Sequence, residues 1–312
     1  MKKQIFAACA LSGLVIGCAS SPEGEKPACA CAPAKPRYIV IENTAGQRAW
    51  KMPFRLGLAG YTMHRKGLDE TLEIMRALDL HYLCVKDFHL KYTASDAEIA
   101  AFKAKCAAYG VTPYALGPLY TDSNEKVRAY FEFAKRFGAK VIVGVPYELA
   151  PEQKDNWGER LASRKQLEYI DKLVKEFDIR YAIHNHGPQV TKMYPDVRFG
   201  YDLVKDLDKR IGFCMDVGWE YACGKDPAAS IRQYRARLFD LHVKNFEKGK
   251  KNGAATPLPR GKIDYVKIVK ALIDVGYDGV CALEYERDFT DNLAPIAESA
   301  GYFRGLVDAL TA

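Results

Sequence analysis

The chain reads as an α/β protein, a (β/α)8 barrel occupying residues 51–312 as a single domain. Three observations predict it. Short apolar runs alternate with amphipathic stretches from Phe54 to Leu310, eight of each kind. Their order is a strict strand–helix beat, which requires parallel pairing through right-handed crossovers. Polar side chains able to bind metals recur where the apolar runs end, and the C-terminal strand ends are where such barrels keep their chemistry.

The elements follow in order. A first strand near Arg55–Tyr61 leads to a helix around Leu68–Leu78, where Leu72, Met75 and Leu78 share a face. The second strand, His81–Lys86, precedes a helix over Ser95–Tyr109 with Ser95 placed as N-cap. Val111–Leu116 and Asn124–Phe137 form the third unit, Lys140–Val145 and Leu161–Phe177 the fourth. The fifth strand is Arg180–His184, followed by a weaker helix near Tyr201–Leu207. Ile211–Asp216 with Asp226–Arg237, Leu238–Val243 with Asp264–Val275, and Gly279–Glu284 with Leu293–Leu310 complete the set. An open doubly wound sheet would carry a glycine-rich phosphate turn after its first strand, but Gly57 and Gly60 lack the GxGxxG spacing.

The 312 residues are 48% apolar and 27% charged, ordinary for a globular chain, with a formal net charge of +7. The only dense basic cluster, Lys248–Lys251, reads as a solvated loop, and without a basic stripe interleaved with aromatics nucleic acid is excluded as a partner. Lys2 and Lys3 precede an apolar run from Ile5 to Gly17 that is too short to span a bilayer and is shaped like a signal peptide. Its end, Val15-Ile16-Gly17-Cys18, resembles a bacterial lipobox, which implies a lipidated Cys18. Residues 1–17 are therefore expected to be a signal peptide and 18–50 a lipidated, disordered tether rich in small residues and proline. That organisation predicts an exported lipoprotein of the cell envelope, periplasmic or at the outer membrane, held to the membrane by its N-terminal lipid. Cys84, Cys106, Cys214, Cys223 and Cys281 form no CxxC pair and read as buried free thiols.

The stretch Ile179–Gly187 carries most of the functional signal. Side chains alternate along a strand, so His184 and His186 point the same way at its C-terminal end. Neighbouring strand ends deliver Lys86, Asp87 and His89, then Tyr147 and Glu148, then Asp216, then His242 and Lys244, and finally Glu284 and Glu286. Buried charges cost several kcal/mol unless paired or bound to a metal, so converging carboxylates call for a cation. Mixed carboxylate and imidazole donors suit one divalent ion such as Mn, Co, Zn or Mg better than Ca.

Together with Cys214-Met215-Asp216-Val217-Gly218, Leu241-His242-Val243-Lys244, Ala282-Leu283-Glu284-Tyr285, Gly60-Tyr61-Thr62 and the Pro259–Asp264 loop, this set resembles the xylose-isomerase-like barrels over Phe54–Leu310. That superfamily holds sugar and sugar-phosphate isomerases and epimerases, inosose dehydratases and an endonuclease branch. The resemblance implies a metal held by Glu, Asp, His and Glu from successive strand ends, with Asp216, His242 and Glu284 in the last three places. Where the family gives a glutamate, this chain has His184, so either Glu148 supplies the missing carboxylate or an imidazole ligates directly, and Glu148 with His186 nearby is the favoured expectation. Trp219 stands where many epimerases of the family carry a substrate-binding histidine, which puts the two-glutamate proton exchange in question here.

The resulting expectation is a metal-dependent sugar isomerase or epimerase, or a lyase or hydratase, acting on a free or keto-sugar through a metal-stabilised enediolate. Glu148, Glu284, His184 and His186 are the candidate catalytic residues, and Glu148, Asp216, His242 and Glu284 the candidate metal ligands. Lys86, His89, Trp219, Lys244 and Arg260 are the candidate substrate contacts. The alternative is a non-catalytic sugar-binding lipoprotein on the same barrel.

Overall fold

The computed structural model describes residues 52–150, 154–187, 192–247 and 254–312. The expected signal peptide, the lipidation at Cys18, the tether and the Lys248–Lys251 cluster lie outside these residues. Eight strands form the barrel wall: β1 Arg55–Ala59, β2 Tyr82–Val85, β3 Thr112–Thr121, β4 Val141–Glu148, β5 Arg180–His184, β6 Ile211–Asp216, β7 Leu238–Val243 and β8 Val280–Leu283. Each pairs in parallel with the next, and β8 pairs with β1, so the sheet closes on itself.

Helices α1 Leu68–Ala77, α2 Asp96–Ala108, α3 Asn124–Phe137, α4 Arg164–Phe177, α5 Val197–Val204, α6 Val217–Ala222, α7 Pro227–Tyr234, α8 Tyr265–Asp274 and α9 Leu293–Thr311 connect and cover the strands. Local chemistry fixes where they start. Ser95 and Glu98 make a reciprocal capping box at α2. Ser123, Ser163, Asp196, Asp226 and Asp264 each accept a backbone N–H from the first turn of α3, α4, α5, α7 and α8. Caps of this kind contribute about 1 kcal/mol apiece. None of the helices among the described residues is long and apolar enough to cross a membrane.

Four expectations need correction. The third strand does not stop at Leu116. The ladder slips across Gly117-Pro118, where proline has no N–H to give, and resumes at Leu119 as far as Thr121. The fourth strand runs on to Glu148, because Tyr147 and Glu148 turn back and pair antiparallel with Leu161 and Ala162. That short ladder delays α4 to Arg164. The helix expected near Tyr201–Leu207 starts earlier, at the cap supplied by Asp196, and an extra short helix, α6, follows Asp216 directly.

Inside the barrel, alternate strand residues form layers. Cys84, Ala115, Val143, Ala182 and Cys214 make one small-residue layer, and Ala59, Val280 and Ala282 pack on the neighbouring arc. Their outward-facing neighbours, including Leu83, Leu116, Ile142, Ile183, Leu241, Val243 and Leu283, belong to the main apolar shell beneath the helices. The five cysteines among the described residues are free thiols, four of them buried.

Candidate metal centre and its cavity

Parallel register puts the functional side chains at one end. His184 is the last residue of β5 and Asp216 the last of β6, while Asp216 and His242 are direct register partners across β6 and β7. Glu284 follows β8, its N–H donating to the Val243 carbonyl of β7 at 3.0 Å. Since each occupies an inward position, the alternation that buries Leu241 and Leu283 under helices turns these four into the barrel. All four are buried, and one ligand atom from each falls within 4.8 Å of the others. His184 Nε2 lies 3.0 Å from His242 Nδ1 and 3.7 Å from Asp216 Oδ2. His242 Nδ1 lies 3.0 Å from Glu284 Oε2.

The backbone around the cluster is fixed by its own polar bonds. Asp216 Oδ1 accepts the Trp219 N–H as N-cap of α6, which leaves Oδ2 for the cluster. Asn185 Oδ1 accepts the Asp216 N–H at 2.8 Å, tying β5 to β6 at the site. Gly218 brings α6 against Lys244, since a Cβ there would lie 2.5 Å from the Lys244 Cγ.

Lys244 is the strongest electrostatic feature. Its buried ammonium stands 2.9 Å from Asp216 Oδ2, 2.8 Å from Glu284 Oε2 and 2.7 Å from Glu286 Oε2. Burial opposes its charge, but the Asp216, Glu284 and Glu286 carboxylates hold its pKa well above the usual lysine value. For Glu284 burial again opposes charge, and His242 and Lys244 hold the carboxyl well below the usual range. Burial pushes Asp216 up to about 7 despite Lys244. Lys244 makes its aligned hydrogen bond to Glu286, so Asp216 Oδ2 is close to the ammonium yet has no directed donor.

Above the cluster is a cavity of about 320 Å³ lined by Tyr61, Lys86, Tyr120, Trp157, Trp219 and Glu286 among others, with His184, His186 and Glu284 reaching it from below. His186 Nδ1 lies 3.4 Å from His184 Nδ1, and its Nε2 lies 3.0 Å from the Tyr120 hydroxyl. Burial, with Lys244 as the next cause, lowers the His186 pKa to about 3. Burial pushes His184 down as well, so both rings are neutral acceptors at neutral pH. Trp157 meets Tyr120 and His186 edge-on, at 4.8 and 5.6 Å between ring centroids.

Of the residues expected from sequence, the structure brings together His184, His186, Asp216, His242, Glu284, Lys244, Lys86 and Trp219. It does not bring Glu148, His89 or Arg260. Glu148 is exposed, accepts a hydrogen bond from Ser163 Oγ at 2.8 Å and lines a separate groove with Asp122 and Glu125. The turn that pairs residues 147–148 with 161–162 carries it away, and His184 takes the fourth place in the donor cluster. His89 packs beside α1, with Nε2 3.3 Å from Thr71 Oγ1, and does not line the cavity. Arg260 is exposed and paired with Glu298 at 2.7 Å.

Tyr120 and the buried Asp240 were not among the candidates. Unbroken alternation from the outward-facing Leu116 would aim Tyr120 outward, and the slip between Leu116 and Leu119 is what turns Pro118 and Tyr120 to the cavity. Asp240 precedes His242 by two on the same inward face, where the Tyr114 hydroxyl donates to both of its oxygens at 2.8 and 2.9 Å. Its pKa is pushed up to about 7 by burial.

A family model described as "Xylose isomerase-like TIM barrel" matches residues 72–306. The chain belongs to that family. Among curated members, an inosose dehydratase of Lacticaseibacillus casei is 27% identical over 205 residues, covering 54% of this chain and 66% of that protein. A mannonate dehydratase of Enterococcus faecalis is 26% identical over 168 residues, covering 47% of this chain and 46% of its own length. Both matches thus span less than two thirds of the relative. D-psicose 3-epimerase from Clostridium cellulolyticum H10, solved with D-tagatose, shares the fold at a TM-score of 0.63 and 17% identity over 81% of this chain and 99% of that one. L-ribulose 3-epimerase does so at 0.64 and 14%, over 82% and 95%.

Proposed function

We propose that this family member is a metal-dependent enzyme of carbohydrates, an isomerase, epimerase or dehydratase that removes a proton beside a sugar carbonyl. The observation that carries the reading is the set of four buried donors, His184, Asp216, His242 and Glu284, from four successive strands beneath one cavity. The donor chemistry fits a divalent ion. Two imidazoles and two carboxylates are the mixed set that such ions take. Asp216 Oδ2 faces the cluster with the Lys244 ammonium at 2.9 Å and no aligned hydrogen-bond donor. Three carboxylates, Asp216, Glu284 and Glu286, stand around the one ammonium of Lys244. A cation held there supplies electrophilic pull on a carbonyl and its neighbouring hydroxyl.

The chain's own groups supply the rest. Trp219, Tyr61 and Trp157 offer flat apolar faces against which a sugar ring or chain can lie. His186, kept neutral by burial, accepts the carbon-bound proton, and Tyr120 at 3.0 Å orients the ring and exchanges a proton with it. Return of the proton to the same carbon gives an epimer, and return to the neighbouring carbon an isomer. Return of the proton to a departing β-hydroxyl, which leaves as water, instead gives dehydration.

The test is solvent exchange. Protein reconstituted with Mn2+ is incubated in deuterated water with a panel of keto-sugars and followed by NMR. Deuterium should appear at a carbon next to the carbonyl, and Tyr120→Phe should slow its entry by about 10- to 100-fold, the scale of one acid–base group. Sugars that bind without exchange would instead make the barrel a binding module.

A further inference from the structure

Lys244, in the cluster beneath the cavity, and Lys86, on its wall, are in opposite situations. Lys244 is saturated by three carboxylates. Lys86 lines the cavity wall at the end of β2, and its Nζ makes one bond, to the Pro118 carbonyl at 2.9 Å. Among the described residues no carboxylate oxygen comes within 4.0 Å of that nitrogen, and the adjacent Asp87 is exposed. An ammonium has three N–H donors, so a single carbonyl leaves two of them. A half-buried cation without a paired counter-charge is a costly arrangement for structure alone. Burial accordingly pulls the Lys86 pKa down.

Among the described residues no acid pairs with Lys86, and Asp87 and Glu284 act on it only from beyond ion-pair distance. Glu284 and Glu286 are already engaged by Lys244 and His242, and the imidazoles of His184 and His186 have no negative charge to offer. The remaining walls include Tyr61, Tyr120, Trp157 and Trp219. A neutral hydroxyl could accept a hydrogen bond from Lys86 but would not neutralise it. A phosphate dianion would need a second cation, and among the described residues no arginine lines the cavity. One ammonium with two donors to spare matches one carboxylate.

We infer that Lys86 receives the carboxylate of the substrate, which makes the substrate class a polyhydroxy acid, an aldonate or uronate, in place of a neutral sugar. The inference rests on the carbohydrate reading of this cavity. Isothermal titration with matched pairs, D-gluconate against D-glucitol and D-glucuronate against D-glucose, tests it. Each pair is measured with bound Mn2+ and after chelation, because a carboxylate could otherwise reach the metal site instead.

Wild type should bind at least one acid ten-fold or more tighter than its neutral partner in both states, and Lys86→Met should bring the two within about two-fold. The wild-type comparison needs no variant, so it holds even if Lys86→Met does not fold. Equal or tighter binding of the neutral partner overturns the inference, as does a preference that vanishes on chelation and survives Lys86→Met. Tighter binding of D-glucose 6-phosphate than of D-glucuronate also overturns it. Binding of neutral sugars alone would leave the carbohydrate reading standing, whereas no binding by any of these probes would remove both.

Discussion

Replacing Lys244 by Met tests how the cluster is held together. The substitution keeps the stem that packs by Gly218 and Trp219 and removes an ammonium lying 2.9, 2.8 and 2.7 Å from three carboxyl oxygens. Taking one partner from a buried ion pair costs about 3–5 kcal/mol, because the other charge stays buried. In a barrel of this size that is a fall in Tm on the order of 10 °C. Asp216 sets the pH dependence. Its pKa is already raised to about 7 by burial and rises further without Lys244, so it can take up a proton as pH falls. The loss should therefore be largest above pH 7 and shrink toward pH 6. A divalent ion can replace the missing charge, and at 100 times its Kd it should return about 2.7 kcal/mol. The assay is urea and thermal unfolding of chelated and Mn2+-loaded protein between pH 6 and 8. A loss below about 1 kcal/mol at pH 8, against the 3–5 expected, or stability indifferent to Mn2+, would refute the reasoning.

Two further predictions concern residues that the structure moves away from the site. His89 is buried with its pKa lowered to about 4, mainly by burial, against about 6.5 in an unfolded chain. It stays neutral when folded, so stability is lost as pH falls from about 6.5 toward 4, by up to about 1.4 kcal/mol per pH unit. His89→Gln should remove that contribution, and urea midpoints that differ from wild type by the same amount at pH 7.5 and pH 5 would contradict it. Glu148→Gln and Arg260→Met should each leave metal content unchanged by elemental analysis and shift stability by no more than about 1 kcal/mol, as exposed polar contacts do. Loss of the metal from Glu148→Gln would return that residue to the ligand set.

The barrel was legible because its signals are local and repeated. α3 spans Asn124–Phe137 as its pattern predicts, and Ser95 caps α2 through the pair it makes with Glu98. Asp216, His242 and Glu284 could be read because period-two alternation fixes which way a strand residue faces. Glu148 could not be placed in this way, since its direction depends on an antiparallel turn formed with Leu161 and Ala162, a pairing that no local pattern encodes. Tyr120 was hidden by Gly117-Pro118, which reads as a strand end although the ladder resumes beyond it. The grip of Lys244 on Asp216 and Glu284 joins three strand ends, so no stretch of sequence around Lys244 encodes it.

Metal stoichiometry tests the central claim most directly. Purified protein equilibrated with Mn2+, Co2+ or Zn2+ and then gel-filtered should retain about one ion per chain by elemental analysis, consistent with a closed set of four donors. Asp216→Ala and His242→Ala should each lose the ion while keeping the wild-type circular dichroism spectrum. Retention of the ion in both variants, or its absence from wild type with all three metals, would contradict a shared cation at these four strand ends.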